Sequence, residues 1–459
     1  MSSVAEPSYS SPDFPERADF AAPRRLSLHD RYFCFLCFCL AGYAFFGKGF
    51  AYVGVPPLLI GEVMLGLGVI VLVRTGCWMV LFCSIPSILL LTLMIWVFCR
   101  TVVFLNIHGL DAIRDSVVVL YGMFAYIVIA LLIERPERLK WAIGAYAMFA
   151  WCYGVFAPII LNINVMVGDS FPSWPGSGVP LVYVRLGEAA IHIAGSAVFV
   201  LLGFRQVSYV WLGFLFISLI VVTVSRGAML SCMVPIAVAA ILSGKIKLLT
   251  KPLLFGALAL VAAYAANLEI VFPGGRSIGP QQLVNNVESI VGSSNASNLD
   301  GTKLWRLQWW NAIERYTIHG PYFWTGKGFG VNLSENDGFV VGVEGGGPPV
   351  RVPHNIHYTM LARSGVPGLT LWILLEVSWF VMLGRAILAA RRRRDQEWAR
   401  ILLWIACYGL AIVVDASFDV AIEGPMVGIW YWSIFGFGIA ATMISRAPNR
   451  VPPAEPAPA

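Results

Sequence analysis

The chain has 459 residues, of which 58% are hydrophobic and only 13% charged, with a formal net charge of +6. Soluble domains carry about 25% charge, so the composition excludes an ordinary soluble domain and predicts an all-α polytopic membrane protein. The basic residues sit in short clusters between apolar runs, which speaks against a nucleic-acid partner.

Residues 1–31 are polar, with Pro, Ser and Arg, and no apolar core precedes Tyr32. They read as a disordered cytoplasmic tail rather than a cleavable signal peptide. A spanning helix needs about 20 apolar residues. That rule gives about twelve spans, at 32–47, 56–73, 77–98, 116–133, 140–162, 187–204, 208–224, 227–243, 252–269, 366–385, 398–414 and 426–444. The first nine fall in a membrane domain, 32–272, and the last three in a second, 366–445. A large polar loop containing short helices, 273–365, separates them, and a Pro/Ala-rich tail, 446–459, ends the chain. All nine cysteines lie in or beside apolar runs, and Cys34-x-x-Cys37-x-Cys39 reads as small apolar residues on a buried helix. No disulfide framework is expected.

Cytoplasmic segments of membrane proteins collect Lys and Arg. With the N-terminus inside, one face gathers most of the 32 basic residues, among them Arg24, Arg25, Arg135, Arg138, Lys245, Lys247 and Arg391 to Arg394. The short segments on the other face hold only Lys48, Arg100, Arg114, Arg185 and Arg226. The loop is therefore expected to face outward, toward the periplasm if the membrane is a bacterial inner membrane. Arg185 opens the sixth span, with Glu188 behind it. Arg226 lies between two apolar runs with almost no loop. An arginine there is costly and marks a functional site; the bland alternative is snorkelling, or an ion pair with Glu188 or Asp415.

Within the loop, Gly292 to Gly301 reads as a flexible linker, and Thr302 can cap a helix running to about Thr317. Leu304, Leu307, Trp310, Ala312 and Ile313 suggest its buried side, with Arg306, Trp309 and Ile313 on a neighbouring stripe. The same pattern suits an amphipathic helix lying on the bilayer, and the two readings are compatible. Gly326-Lys327-Gly328-Phe329-Gly330 is not a Walker loop; its glycines suit tight turns, and its amides could approach a phosphate. Gly345 to Pro349 reads as a hinge.

His354, in Pro353-His354-Asn355-Ile356-His357, stands just before the tenth span and suits a general base; the alternative is a histidine bonded to the loop backbone. His354 and His357 share a spacing that a metal could use, but no third or fourth ligand stands at convincing spacing, so no metal is expected. Arg185, Arg226 and Arg306 could all reach the outer face, and guanidinium forks bind phosphate. A base and an arginine clamp without nucleotide motifs point to a lipid-linked pyrophosphate donor.

Arg306 followed by Trp309, Trp310, Ala312 and Ile313, then Pro321, the run Gly326 to Gly330, His354-Asn355 and Gly365-Val366-Pro367-Gly368 together resemble the bacterial O-antigen ligase and polymerase family, as does Ser225-Arg226-Gly227 upstream. The resemblance implies transfer of a glycan from undecaprenyl pyrophosphate to an acceptor hydroxyl, on a lipid A core or a growing polysaccharide, without metal, nucleotide or other cofactor. By this analogy His354 is the base, with Arg226 and Arg306 binding the pyrophosphate; Arg185 joins them by its place at the outer face, and Trp309, Trp310, Lys327, Asn355 and His357 are further candidate contacts. The insert from Gly338 to Val352 departs from the family pattern and bears on the acceptor. Two other classes stay open: a transporter or flippase of lipid-linked sugars, and a metal-dependent membrane glycosyltransferase using Asp111 and Asp115.

Overall fold

The computed structural model describes residues 26–167, 171–268, 270–271, 277–291, 297–340 and 350–447. Most of both expected tails, residues 292–296 of the linker, the hinge Gly345 to Pro349 and most of the insert Gly338 to Val352 lie outside the described residues. The helices are α1 (Leu28–Phe46), α2 (Lys48–Ala51), α3 (Ile60–Thr75), α4 (Ile85–His108), α5 (Leu110–Leu120), α6 (Met123–Glu134), α7 (Glu137–Val167), α8 (Leu186–Leu201) and α9 (Tyr209–Val222). They continue with α10 (Arg226–Leu242), α11 (Lys247–Ala265), α12 (Pro280–Val291), α13 (Ser297–Thr317), α14 (Leu333–Asp337), α15 (Ile356–Arg392), α16 (Gln396–Ala416) and α17 (Pro425–Ile444). Strand is confined, among the described residues, to two short antiparallel hairpins.

The chain is thus an all-α membrane protein. A helix lies on every apolar run of the sequence. Among the described residues, seven helical segments are long and apolar enough by themselves to cross a membrane, and α8, α9 and α10 are shorter apolar helices. Three boundaries differ from expectation. The third run starts with a single 3₁₀ turn, Trp78–Leu81, and its helix begins only at Ile85, because the Ser84 side chain caps the Ser87 amide and Pro86 suits a first turn. The fourth run is two helices, α5 and α6, broken at Tyr121–Gly122. α13 already begins at Ser297, so the helix starts inside the expected linker and Thr302 is not its first residue.

The core is built around α6 and α17. Every residue from Phe124 to Leu132 is buried, and α17 is buried over most of its length. A Cβ on Gly436 would stand 2.3 Å from the Ala125 carbonyl oxygen, so only glycine lets these two helices approach so closely. Tryptophans tie the bundle by donating to main-chain carbonyls of neighbouring helices: Trp430 to Leu40 (2.7 Å), Trp432 to Val118 (2.9 Å) and Trp379 to Phe435 (2.9 Å). In lipid such bonds contribute about 0.6 kcal/mol each on average.

The loop has a small core of its own, centred on Trp309, Ile313, Leu333, Leu361 and Ala362. The buried side of α13 is therefore the stripe through Trp309, Ile313 and Thr317. Leu304 and Leu307, expected inside, are 57% and 47% exposed. The cause is tertiary: the stripe that carries Trp309 meets Phe339 and the start of α15. The loop is joined to the membrane helices at Gly365, which breaks α15 with φ 71°. There Val366 donates to the Phe323 carbonyl (2.8 Å), and a Cβ on Gly365 would lie 2.5 Å from that same oxygen. Gly365→Val is expected to lower the melting temperature in detergent, since the left-handed conformation alone costs about 1–2 kcal/mol before the clash. A melting curve that does not move would show that this junction yields.

Candidate active site

The start of the site is the turn after α16. Ser417-Phe418-Asp419-Val420 lies where the loop comes down on the bundle, and three consecutive residues of it are clasped by three expected site residues. Arg306 of α13 donates through Nη1 to the Phe418 carbonyl (2.6 Å). His354 places Nδ1 3.0 Å from the Asp419 carboxylate. Arg185, at the start of α8, donates through Nη1 to the Val420 carbonyl (3.1 Å). Arg226 begins α10, and its neighbour Gly227 packs so that a Cβ there would be 3.1 Å from the Phe418 Cβ. The sequence-expected base and all three arginines thus come to one place from four separate elements.

The helix ends help explain why. α8, α10, α15 and α17 all begin beside this turn, so four helix N-termini present partial positive charge there. Such ends favour anions. In contrast, α16 ends here, and the guanidinium groups bind main-chain carbonyls of the turn that follows it.

Asn355 shapes the entry to α15. Its side-chain oxygen accepts from the His357 and Tyr358 amides, and its Nδ2 donates to the Ser417 carbonyl (2.9 Å). His354, just before it, is held at φ 52°, a conformation that a non-glycine residue adopts only when its surroundings impose it. Trp305 lies edge-on to the His354 ring, centroids 6.4 Å apart.

Burial raises the Asp419 carboxyl, but the hydrogen bond from His354 and the charge of Arg185 outweigh it and hold it at about 2. Asp419 is then a carboxylate that only accepts, so His354 carries its proton on Nδ1 and leaves Nε2 as the basic nitrogen. Burial pushes the nearby Glu423 carboxyl up to about 7, with the charge of Asp419 adding to the effect. Thr359 Oγ1 lies 3.3 Å from it. Arg306 is half-buried and its pKa is lowered, first by burial and then by repulsion from Arg226, while Asp419 pulls the other way. Two guanidinium groups close enough to repel, one with a buried Nε that has no hydrogen-bond partner, make a place for an anion.

The other expected contacts are placed differently. Trp309 is fully buried, donates to Asp337 (2.7 Å) and stacks on Phe339, so the loop's own core takes it. Lys327 pairs with Asp337, donates to Asn336 and sits over the Tyr316 ring at 4.0 Å. Trp310 donates to the Pro353 carbonyl (2.9 Å) and stacks on Tyr358, which braces the segment holding His354. His357 lies beside the site with Nε2 3.2 Å from the Ser417 hydroxyl, and its Nδ1 is buried without a partner among the described residues.

The glycine run does not offer its amides to a phosphate. Lys327 and Gly328 donate to the carbonyls of Ala362 and Arg363, and Gly330 donates to Asp115 (3.1 Å). Asp111 and Asp115 are likewise engaged: Arg114 pairs with both, Arg351 approaches both, and buried Arg363 lies 3.0 Å from Asp115. These contacts pin the loop to the start of α5 and pair both carboxylates with arginines, a poor setting for a metal.

Sequence reasoning missed Asp419 and Glu423. The signal was present: two carboxylates in the short turn between two spans, on the face to which the span count also assigns the loop.

A search of curated proteins returned no match. The family model described as O-antigen ligase matches residues 211–373. That segment runs from α9 into α15 and carries Arg226, Arg306 and His354, whereas Arg185 and Asp419 lie outside it. Over this segment, which brings two arginines and a histidine to one end of the helical bundle, the chain is similar to the O-antigen ligase family.

Proposed function

We propose that the protein is a glycosyltransferase of the bacterial inner membrane. It moves a glycan from undecaprenyl pyrophosphate to an acceptor hydroxyl at the periplasmic face. The observation that carries this reading is the convergence of Arg226 and Arg306 beside a histidine whose Nδ1 is held by Asp419. The arginines bind the pyrophosphate and take up the charge that grows on it as it leaves. Arg185 supports them from the far side of the Phe418–Val420 strip. His354 Nε2 removes the acceptor proton while the acceptor oxygen bonds to the sugar's anomeric carbon. The bond from that carbon to the pyrophosphate oxygen breaks, and undecaprenyl pyrophosphate departs with the electron pair. Because arginines neutralise the leaving group, the reaction needs neither divalent metal nor other cofactor.

The test is transfer by purified protein with a defined undecaprenyl-pyrophosphate glycan and a panel of glycolipid and glycan acceptors. Product is expected to form at an undiminished rate in EDTA. If EDTA stops the reaction and Mg²⁺ or Mn²⁺ restores it, the arginine clamp is the wrong account. Movement of the lipid-linked sugar without product would instead support a flippase.

The expected membrane arrangement is twelve spans with both termini inside. In a background without native cysteines, a cysteine at the exposed Glu335 should react with an impermeant thiol reagent added outside, and one at Arg392 should not. The reverse pattern would turn the protein over in the membrane and sink the proposal.

A further inference from the structure

A slot on the lipid-facing side of the bundle, away from the active site, has no role in that chemistry. It lies between α1 and α7 and has a volume of about 420 Å³. Leu36, Tyr146, Trp404 and Trp430 form its floor and are nearly inaccessible. Phe38 and Met148, 67% and 66% exposed, are its lips, so it is open sideways to the bilayer. Its wall on α1 runs from Phe33 to Phe45. At 1.5 Å per residue that is about 18 Å along the helix, against about 15 Å for the hydrocarbon of one leaflet. The slot is thus as long as a lipid chain and lies along its direction.

Its near end opens at the membrane face opposite the loop, among charged residues. Arg135 stands 4.9 Å over the ring of Trp141, which lines the slot. Arg135 and Arg138 are paired with Asp30, Glu134 and Glu137. Arg31 and Lys140 remain: Arg31 is exposed one helical turn before Cys34 of the slot, and Lys140 directly precedes Trp141. Neither is ion-paired among the described residues. The rim therefore holds the four cations Arg31, Arg135, Arg138 and Lys140 against the three carboxylates Asp30, Glu134 and Glu137, with the His29 ring 2.8 Å from Glu134.

We infer that this slot binds one anionic phospholipid of the leaflet opposite the loop. One acyl chain fills the slot, and the headgroup phosphate rests on Arg31 and Lys140. An apolar slot buried in a bilayer takes hydrocarbon without loss of hydrogen bonds, and basic residues at the surface add about 1 kcal/mol each toward acidic headgroups. The lipid would brace α1 against α7, two helices whose facing surfaces leave this gap.

The test is native mass spectrometry of the full-length protein released from nanodiscs of phosphatidylglycerol, phosphatidylcholine or an equal mixture. Wild type is expected to retain one phospholipid and to prefer phosphatidylglycerol in the mixture. Ala145 lines the slot and is exposed, so the indole of Ala145→Trp fills the gap without entering the core. That variant should melt as wild type does and retain lipid at least about tenfold less. Arg31→Gln with Lys140→Gln should retain a phospholipid but lose the headgroup preference. Unchanged retention in Ala145→Trp overturns the inference, and so does a wild type indifferent to headgroup. Retention of a polyprenyl phosphate in place of phospholipid also overturns it, assigning the slot to the donor.

Discussion

Replacing His354 by alanine is expected to lower turnover by at least about a hundredfold while leaving donor binding largely intact. A sugar hydroxyl is a weak nucleophile, and a base within hydrogen-bond reach is worth about 10²- to 10⁴-fold. His354 is suited to that work by its surroundings. Asp419 fixes its tautomer from one side, and the backbone at Asn355 fixes its position from the other. Asp419→Asn should therefore also lower turnover, by about tenfold or more, because an amide no longer dictates which ring nitrogen bears the proton. The two residues act as a unit, so the double variant should be little worse than His354→Ala alone. His357→Ala should be far milder, since among the described residues its Nε2 meets the Ser417 hydroxyl and no charged group. Steady-state rates and donor binding, measured separately, check the ranking. If His357→Ala proves the more damaging, the base is misassigned.

The second large effect concerns the arginines. Arg306→Ala and Arg226→Ala should each reduce transfer by about 10²- to 10³-fold, the usual loss when one group that stabilises a departing anion is removed. Arg306→Lys should recover little. An ammonium supplies charge but not a fork, and it cannot at once hold the Phe418 carbonyl and reach a phosphate oxygen. Arg226→Lys should retain more only if its part is that of a general positive charge. Transfer rates in protein shown by its melting curve to be folded decide the matter, and near-normal rates in both lysine variants would reduce the clamp to simple electrostatics.

The helical architecture was legible in the sequence because bilayer thickness sets helix length directly, and a helix stands on each expected run. Boundaries were less so where a local signal competed with hydropathy: Ser84 and Pro86 delayed α4, and Gly365 split α15 while leaving helix on both sides. Arg226, Arg306 and His354 could be picked out because each is costly or unusual where it stands. What holds them was harder to read. The clasped groups at Phe418 and Val420 are main-chain carbonyls, which any residue would supply. Trp309 and Lys327 stood in the right segment and went to the loop's own core, a choice that depends on Asp337 and Phe339 and not on helical spacing.

The strip Phe418–Val420 also bears on the order of biosynthesis. It lies beyond the end of the matched family segment, in the turn that precedes α17. A nascent chain carries Arg226, Arg306 and His354 into the membrane well before the turn that will hold them has been translated. The proposed site is therefore expected to stay incomplete during insertion until the hairpin of α16 and α17 is in place.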